Sequence, residues 1–165
     1  MRDRDPAGRP RNTRPRDALG RPLARGAAQA DQDRIPDDLT ISGPDAAALA
    51  DRLLREGRPF HAHEVLEAAW KSAPPDERDL WQGLAQIAVG LTHARRGNAR
   101  GAVALLRRGV QRVRADGRDR PYGMDIPAVL AASDDLAARI ERHGLDGVPP
   151  ADLAPGLLAR TGNNG

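Results

Sequence analysis

Between Ser42 and Gly144 the apolar residues recur three and four positions apart in five stretches separated by glycine, proline or polar breaks. No other feature restricts the fold so tightly, because that spacing is one face of an α-helix. The first stretch carries Leu49, Leu53 and Leu54, with Ser42 or Asp45 as a cap, Pro44 in the first turn and Gly57 as the stop. Pro59 restarts the chain where a missing N–H costs nothing, and a second helix runs to about Lys71 before Pro74-Pro75. Acidic Asp76, Glu77 and Asp79 lead into a third, with Leu80, Leu84, Ile87 and Leu91 in register. Gly97-Asn98 combines a stop with a cap, which folds the third and fourth helices back as a tight hairpin. The fourth shows Ala102, Val103, Leu106, Val110 and Val113, and the fifth, capped by Asp125, shows Ile126, Val129, Leu130, Leu136 and Ile140. Alternating β-branched runs are missing. The expectation is an all-α fold, a compact antiparallel bundle of about five helices over residues 43–144.

A length of 165 residues suits one domain. Residues 1–42 form an Arg-rich arm too poor in apolar groups to offset its ordering entropy. It is expected to be disordered or loosely docked, with Leu19 and Leu23 as a hook that could reach the domain. Residues 145–165 read as a flexible tail. There is no cysteine, so disulfides and thiolate chemistry are excluded. Neither an apolar run of membrane length nor a signal-type stretch is present, which leads to the expectation of a cytoplasmic protein away from membranes. The formal charge of +3 divides unevenly. Residues 1–34 hold nine arginines against five aspartates, a balance of +4, and residues 35–165 hold 17 bases against 18 acids, a balance of −1.

At about 100° per residue, Ala62, Val65, Leu66 and Ala69 define the buried side of the second helix. His63, Glu67 and Lys71 line up beside Trp70, with Glu64 adjacent and His61 pointing elsewhere. On the third helix Gln82, Gln86 and His93 share one stripe opposite the leucines, and Gly83, Gly90 and Gly97 recur every seven residues between the two stripes. A helical glycine costs about 1 kcal/mol relative to alanine, so glycines on one line point to a neighbouring backbone packed against them. A polar cluster between the second and third helices follows, built from His63, Glu64, Glu67, Gln86 and His93 and walled by Phe60, Trp70 and Trp81.

The residues Phe60-His61-Ala62-His63-Glu64-Val65-Leu66-Glu67-x-x-Trp70, Gly83-Leu84-x-Gln86-x-Ala88, His93 and Arg96-Gly97-Asn98-x-x-Gly101-Ala102 together resemble the signature of the bacterial domain-of-unknown-function family 309, over roughly residues 44–115. The resemblance implies a small all-helical protein and brings no activity with it. Gly97, Asn98, Gly101 and Ala102 then stand as structural positions of the hairpin.

Three functional readings follow. The first is a polar inter-helical site, with His63, Glu64, Glu67, Trp70, Gln86 and His93 as candidates, for a small ligand or ion. The second is a protein-interaction module, since residues 90–113 resemble a single tetratricopeptide-type hairpin without a second copy. The third is a hydrolase-like or metal-dependent enzyme of unassigned class. His63, Glu67 and His93 would be its ligands if a metal were held, and no cofactor or catalytic residue is assigned. Nucleic acid is not expected as a partner. Residues 95–120 hold nine arginines against two aspartates but no aromatic surface for stacking. The oligomeric state is left open.

Overall fold

A computed structural model describes residues 3–4, 10–11, 35 and 39–159. Most of the N-terminal arm, including the Leu19–Leu23 hook, lies outside the described residues. A two-residue antiparallel pairing, β1 (Asp3–Arg4) with β2 (Pro10–Arg11), is the one departure there from helical expectation.

Among the described residues are five α-helices: α1 (Gly43–Arg55), α2 (Pro59–Ser72), α3 (Arg78–Arg95), α4 (Ala99–Asp116) and α5 (Ile126–His143). Each packs on its predecessor in sequence as a bundle, and α3 against α4 is the most extensive pairing. Local chemistry sets the boundaries. The Ser42 hydroxyl accepts from the Asp45 N–H at 3.3 Å, the Asn98 amide oxygen from the Gly101 N–H at 3.0 Å, and Asp125 from the Ala128 N–H at 3.2 Å. Each satisfies one of the N–H groups that a helix start leaves open. Gly97 has φ +82° at the α3–α4 turn, where a side chain would be strained.

α3 is buried on nearly every side, as its mixed stripe predicts. A Cβ on Gly83 would stand 2.5 Å from Val113 Cγ2 and 2.9 Å from the Gly109 carbonyl oxygen, and one on Gly90 would stand 3.0 Å from Leu106 N. The two helices therefore touch backbone to backbone, which lets a core of Leu, Ala and Val fill without aromatic bulk. Gly97, the third glycine of that line, has no neighbour within 4 Å at its Cβ position and serves the turn instead.

The expected tail is corrected over residues 145–159. Leu153 and Leu157, 8% and 3% exposed, join the core. Asp51 on α1 accepts from the Leu157 and Leu158 N–H groups at 2.7 and 2.9 Å, and Arg55 donates to the Leu158 carbonyl at 3.0 Å. Met124 pairs with Leu158 as an isolated bridge, and the Asp125 N–H donates to the Leu157 carbonyl at 2.8 Å. A carboxylate more than a hundred residues upstream thus fixes a segment whose own composition offers few anchors.

Candidate functional site

The walls of a cleft between α2 and α3 come from His63, Glu67 and Trp70 on one side and Gln82, Ala85, Gln86 and Val89 on the other, around about 190 Å³. The placement follows from helix spacing. His63, Glu67 and Trp70 are four and three residues apart on α2, and Gln82, Gln86 and Val89 repeat that spacing on α3.

Two electrostatic features define the cleft. His63 Nε2 lies 3.2 Å from Glu67 Oε2, and Lys71 Nζ lies 3.5 Å from Oε1. The hydrogen bond from His63, with the charges of His63 and Lys71, holds the Glu67 carboxyl down to about 2 against partial burial. Glu67 is therefore an anion throughout the physiological range. His63 Nδ1 and Gln86 Oε1 are both buried, and neither has a hydrogen-bond partner among the described residues. Gln82 Oε1, by contrast, accepts from Arg112 at 3.0 Å.

Four predicted site residues, His63, Glu67, Trp70 and Gln86, are brought together, and Gln82 joins them. Two are not. His93 is seven residues beyond Gln86, about 10 Å along the axis, and its Nδ1 sits 3.1 Å from Asn98 Nδ2 at the α3–α4 turn. The helical projection that aligned it with Gln86 carries no axial distance. Glu64, half-buried, lies outside the lining because it is turned by one residue from His63. The three-ligand metal set of His63, Glu67 and His93 is therefore not assembled. Among the described residues no group of three or more His, Cys, Asp or Glu is placed to hold a metal ion. Of the expected walls, Phe60 abuts the His63 ring at 5.9 Å between centroids without lining the cleft.

Trp81 belongs to a second cluster at the N-terminal end of α3. Its Nε1 donates to Glu77 Oε1 at 3.2 Å, and its ring stacks on Tyr122 at 5.8 Å between centroids. The Tyr122 hydroxyl donates to both Glu77 oxygens, at 2.8 and 2.9 Å, and this bond raises the phenol above its ordinary value. Tyr122 has φ +55°, a conformation a tyrosine rarely adopts. The acidic run before α3 gives no sign in sequence that Glu77 is a buried acceptor, since one of its two partners, Tyr122, is 45 residues away.

The arginine excess of residues 95–120 is largely paired. Arg107 bonds Glu141, Arg112 contacts Asp79, Arg114 contacts Asp134, Arg118 contacts Asp76 and Glu77, and Arg120 contacts Asp125. Among the described residues no helix is long and apolar enough to cross a membrane.

Fold and cleft together define an all-helical bundle with a polar cleft between two adjacent helices. Residues 48–105, which include both walls of the cleft, match the model of the family described as Domain of unknown function (DUF309). The uncharacterized protein YpuF of Bacillus subtilis strain 168 is similar, 36% identical over 84 residues, which make up 50% of this chain and 48% of that protein. The chain spans about half the length of the curated relative it matches. No solved structure matches it.

Proposed function

We propose that this protein binds a small molecule or ion in the α2–α3 cleft. The observation that carries the reading is the pair of buried polar atoms without a partner among the described residues, His63 Nδ1 and Gln86 Oε1, on two residues that line a cavity with room for a ligand. A buried polar atom without a partner costs about 1–3 kcal/mol, and a ligand that supplied the missing partners would recover that cost. The volume of about 190 Å³ falls below the roughly 300–1,000 Å³ of drug-sized sites, which favours a compact ligand. The lining offers a carboxylate and an imidazole but no hydroxyl or thiol, so it supports binding more directly than covalent catalysis. It also supports binding over the hairpin-module reading, because α3 is packed by α2 as well as by α4, leaving the hairpin little free face.

Native mass spectrometry of the protein taken from its host tests the proposal. A small adduct that travels with the parent and is lost from Gln86→Leu is the expected result. Both proteins appearing bare, under conditions that preserve a weak control complex, would refute it.

A further inference from the structure

We infer that the groove filled by residues 155–159 also accepts the same segment of a second copy, so that two chains dimerise by exchanging it. The groove is built by α1 and the α4–α5 connection, and it reads backbone. Asp51 Oδ1 accepts from the N–H groups of Leu157 and Leu158 at 2.7 and 2.9 Å, and Arg55 Nη2 donates to the Leu158 carbonyl at 3.0 Å. From the other side the Asp125 N–H donates to the Leu157 carbonyl at 2.8 Å, and the Gly123 carbonyl accepts from the Ala159 N–H at 3.4 Å. All four backbone polar groups of Leu157 and Leu158 are thereby bonded, as in an extended peptide held by main-chain bonds along a receptor edge.

Two features select the segment. Leu157 fills a core position, and a Cβ on Gly156 would fall inside the Arg55 guanidinium. That guanidinium cannot swing aside without losing its other bonds, because its Nε lies 3.0 Å from both Asp51 oxygens. The groove therefore takes an extended stretch in which glycine precedes leucine, and the sequence seated in it is the chain's own. A second copy carries both that sequence and the same groove, which makes the exchange reciprocal.

None of the groups that hold residues 155–159 belongs to the stretch that tethers them. Beyond α5 the chain passes Gly144 at φ +72°, makes one 3-10 turn at Leu145–Gly147 that contains no buried residue, and runs extended through Pro149 at φ −62° and ψ 146°. Gly144 can redirect the chain without the strain a side chain would meet there. Leu153, and Asp152 with its 2.9 Å pairing to Arg139, travel with the segment and meet the same partners on the second copy. The bonds in the groove are the same whichever chain supplies them, so the tether decides the balance. A short tether gives the local segment an effective concentration of about 1 mM, and exchange competes as the protein approaches that concentration.

The test pairs two variants of the whole chain. Asp51→Ala spoils the groove and keeps the segment, whereas Gly156→Val keeps the groove and spoils the segment. Neither can form a sound pair alone, but together they can form one across two chains. A heterodimer in native mass spectrometry of the mixture, absent from either variant by itself, is the expected result, with a Tm above that of both. A mixture of monomers, each helical by circular dichroism, would overturn the inference. The parent chain gives a readout that needs no variant. Unlabelled and isotope-labelled protein, unfolded together in urea and refolded at about 1 mM, should yield mixed-label dimers, and monomers alone would overturn the inference. So would dimers that Asp51→Ala forms as readily, since their contact would lie elsewhere. A peptide of residues 152–159 that binds Gly156→Val while the mixture stays monomeric would assign the groove to another protein's segment, and exchange between copies would fall.

Discussion

Replacing Gly83 by alanine tests the claim that α3 and α4 meet backbone to backbone. The added methyl would stand 2.5 Å from Val113 Cγ2 and 2.9 Å from both the Gly109 carbonyl oxygen and the Val113 nitrogen. Ordinary carbon contacts begin near about 3.5 Å. Turning Val113 relieves the first clash only, because the other two atoms are backbone, so the helices must part by roughly 0.5–1 Å to reach that distance. Overpacking of this kind costs about 1–3 kcal/mol, and the immovable partners place Gly83 at the upper end. Against this, alanine favours the helix by about 1 kcal/mol. The expected net loss is about 2 kcal/mol, or about 4–8 °C in Tm for a chain of this size. Urea unfolding followed by circular dichroism reads the difference. Gly109 faces the same gap, with 2.7 Å from its Cβ position to the Gly83 carbonyl oxygen. Once one substitution has parted the helices, the second should cost less, so the double variant should lose less than the sum. A Gly83→Ala protein as stable as its parent, or strictly additive losses, would refute the close approach.

Removing the Asp51 carboxylate by Asp51→Ala should strip its bonds to Leu157 and Leu158 and cost about 2–3 kcal/mol, since bonds to a charged acceptor are the stronger kind. Amide hydrogen exchange should show protection at those two residues falling well before that of α3, and retained protection would contradict the anchoring. Acid titration offers an independent check on the cleft. Glu67 has its carboxyl lowered in the folded protein from 4.5 to about 2, so its contribution is present above about pH 4.5 and is lost as pH falls toward 2. Because the side chain is 40% exposed, solvent screening leaves that contribution near about 0.5 kcal/mol. Carbon NMR of the Glu67 carboxyl should give a midpoint near 2 that rises in His63→Ala, whereas an unchanged midpoint would remove His63 as the cause.

How far the molecule could be read from its residues depended on the range of the interaction concerned. Ser42, Asn98 and Asp125 act within three residues of themselves, and their capping roles were visible as local patterns. Gly83 and Gly90 announced the α3–α4 contact because a helix that accepts glycine at regular intervals needs a reason for its cost. The α2 side of the cleft followed from spacing alone. On α3 the same projection grouped Gln82, Gln86 and His93, yet only length along the axis decides which of them meets α2, and it selects Gln82 over His93. Trp81 could not be placed because its orientation depends on Glu77 and on Tyr122, 41 residues further on, and the Asp51 anchor depends on residues 106 and 107 positions away. Pairings at that separation leave no periodic trace in a single sequence.

The strap formed by Leu157 and Leu158 has a consequence for the order of folding. α1 is synthesised before the other described helices, but Asp51 and Arg55 receive their partners in the strap only when residue 158 has been made. The α3–α4 hairpin needs only contacts close in sequence and can form early, whereas this closure must wait for the most distant pairing described above. During synthesis α1 therefore waits with an uncapped flank, and the interval before the strap arrives is when a nascent chain of this kind would have most use for a chaperone.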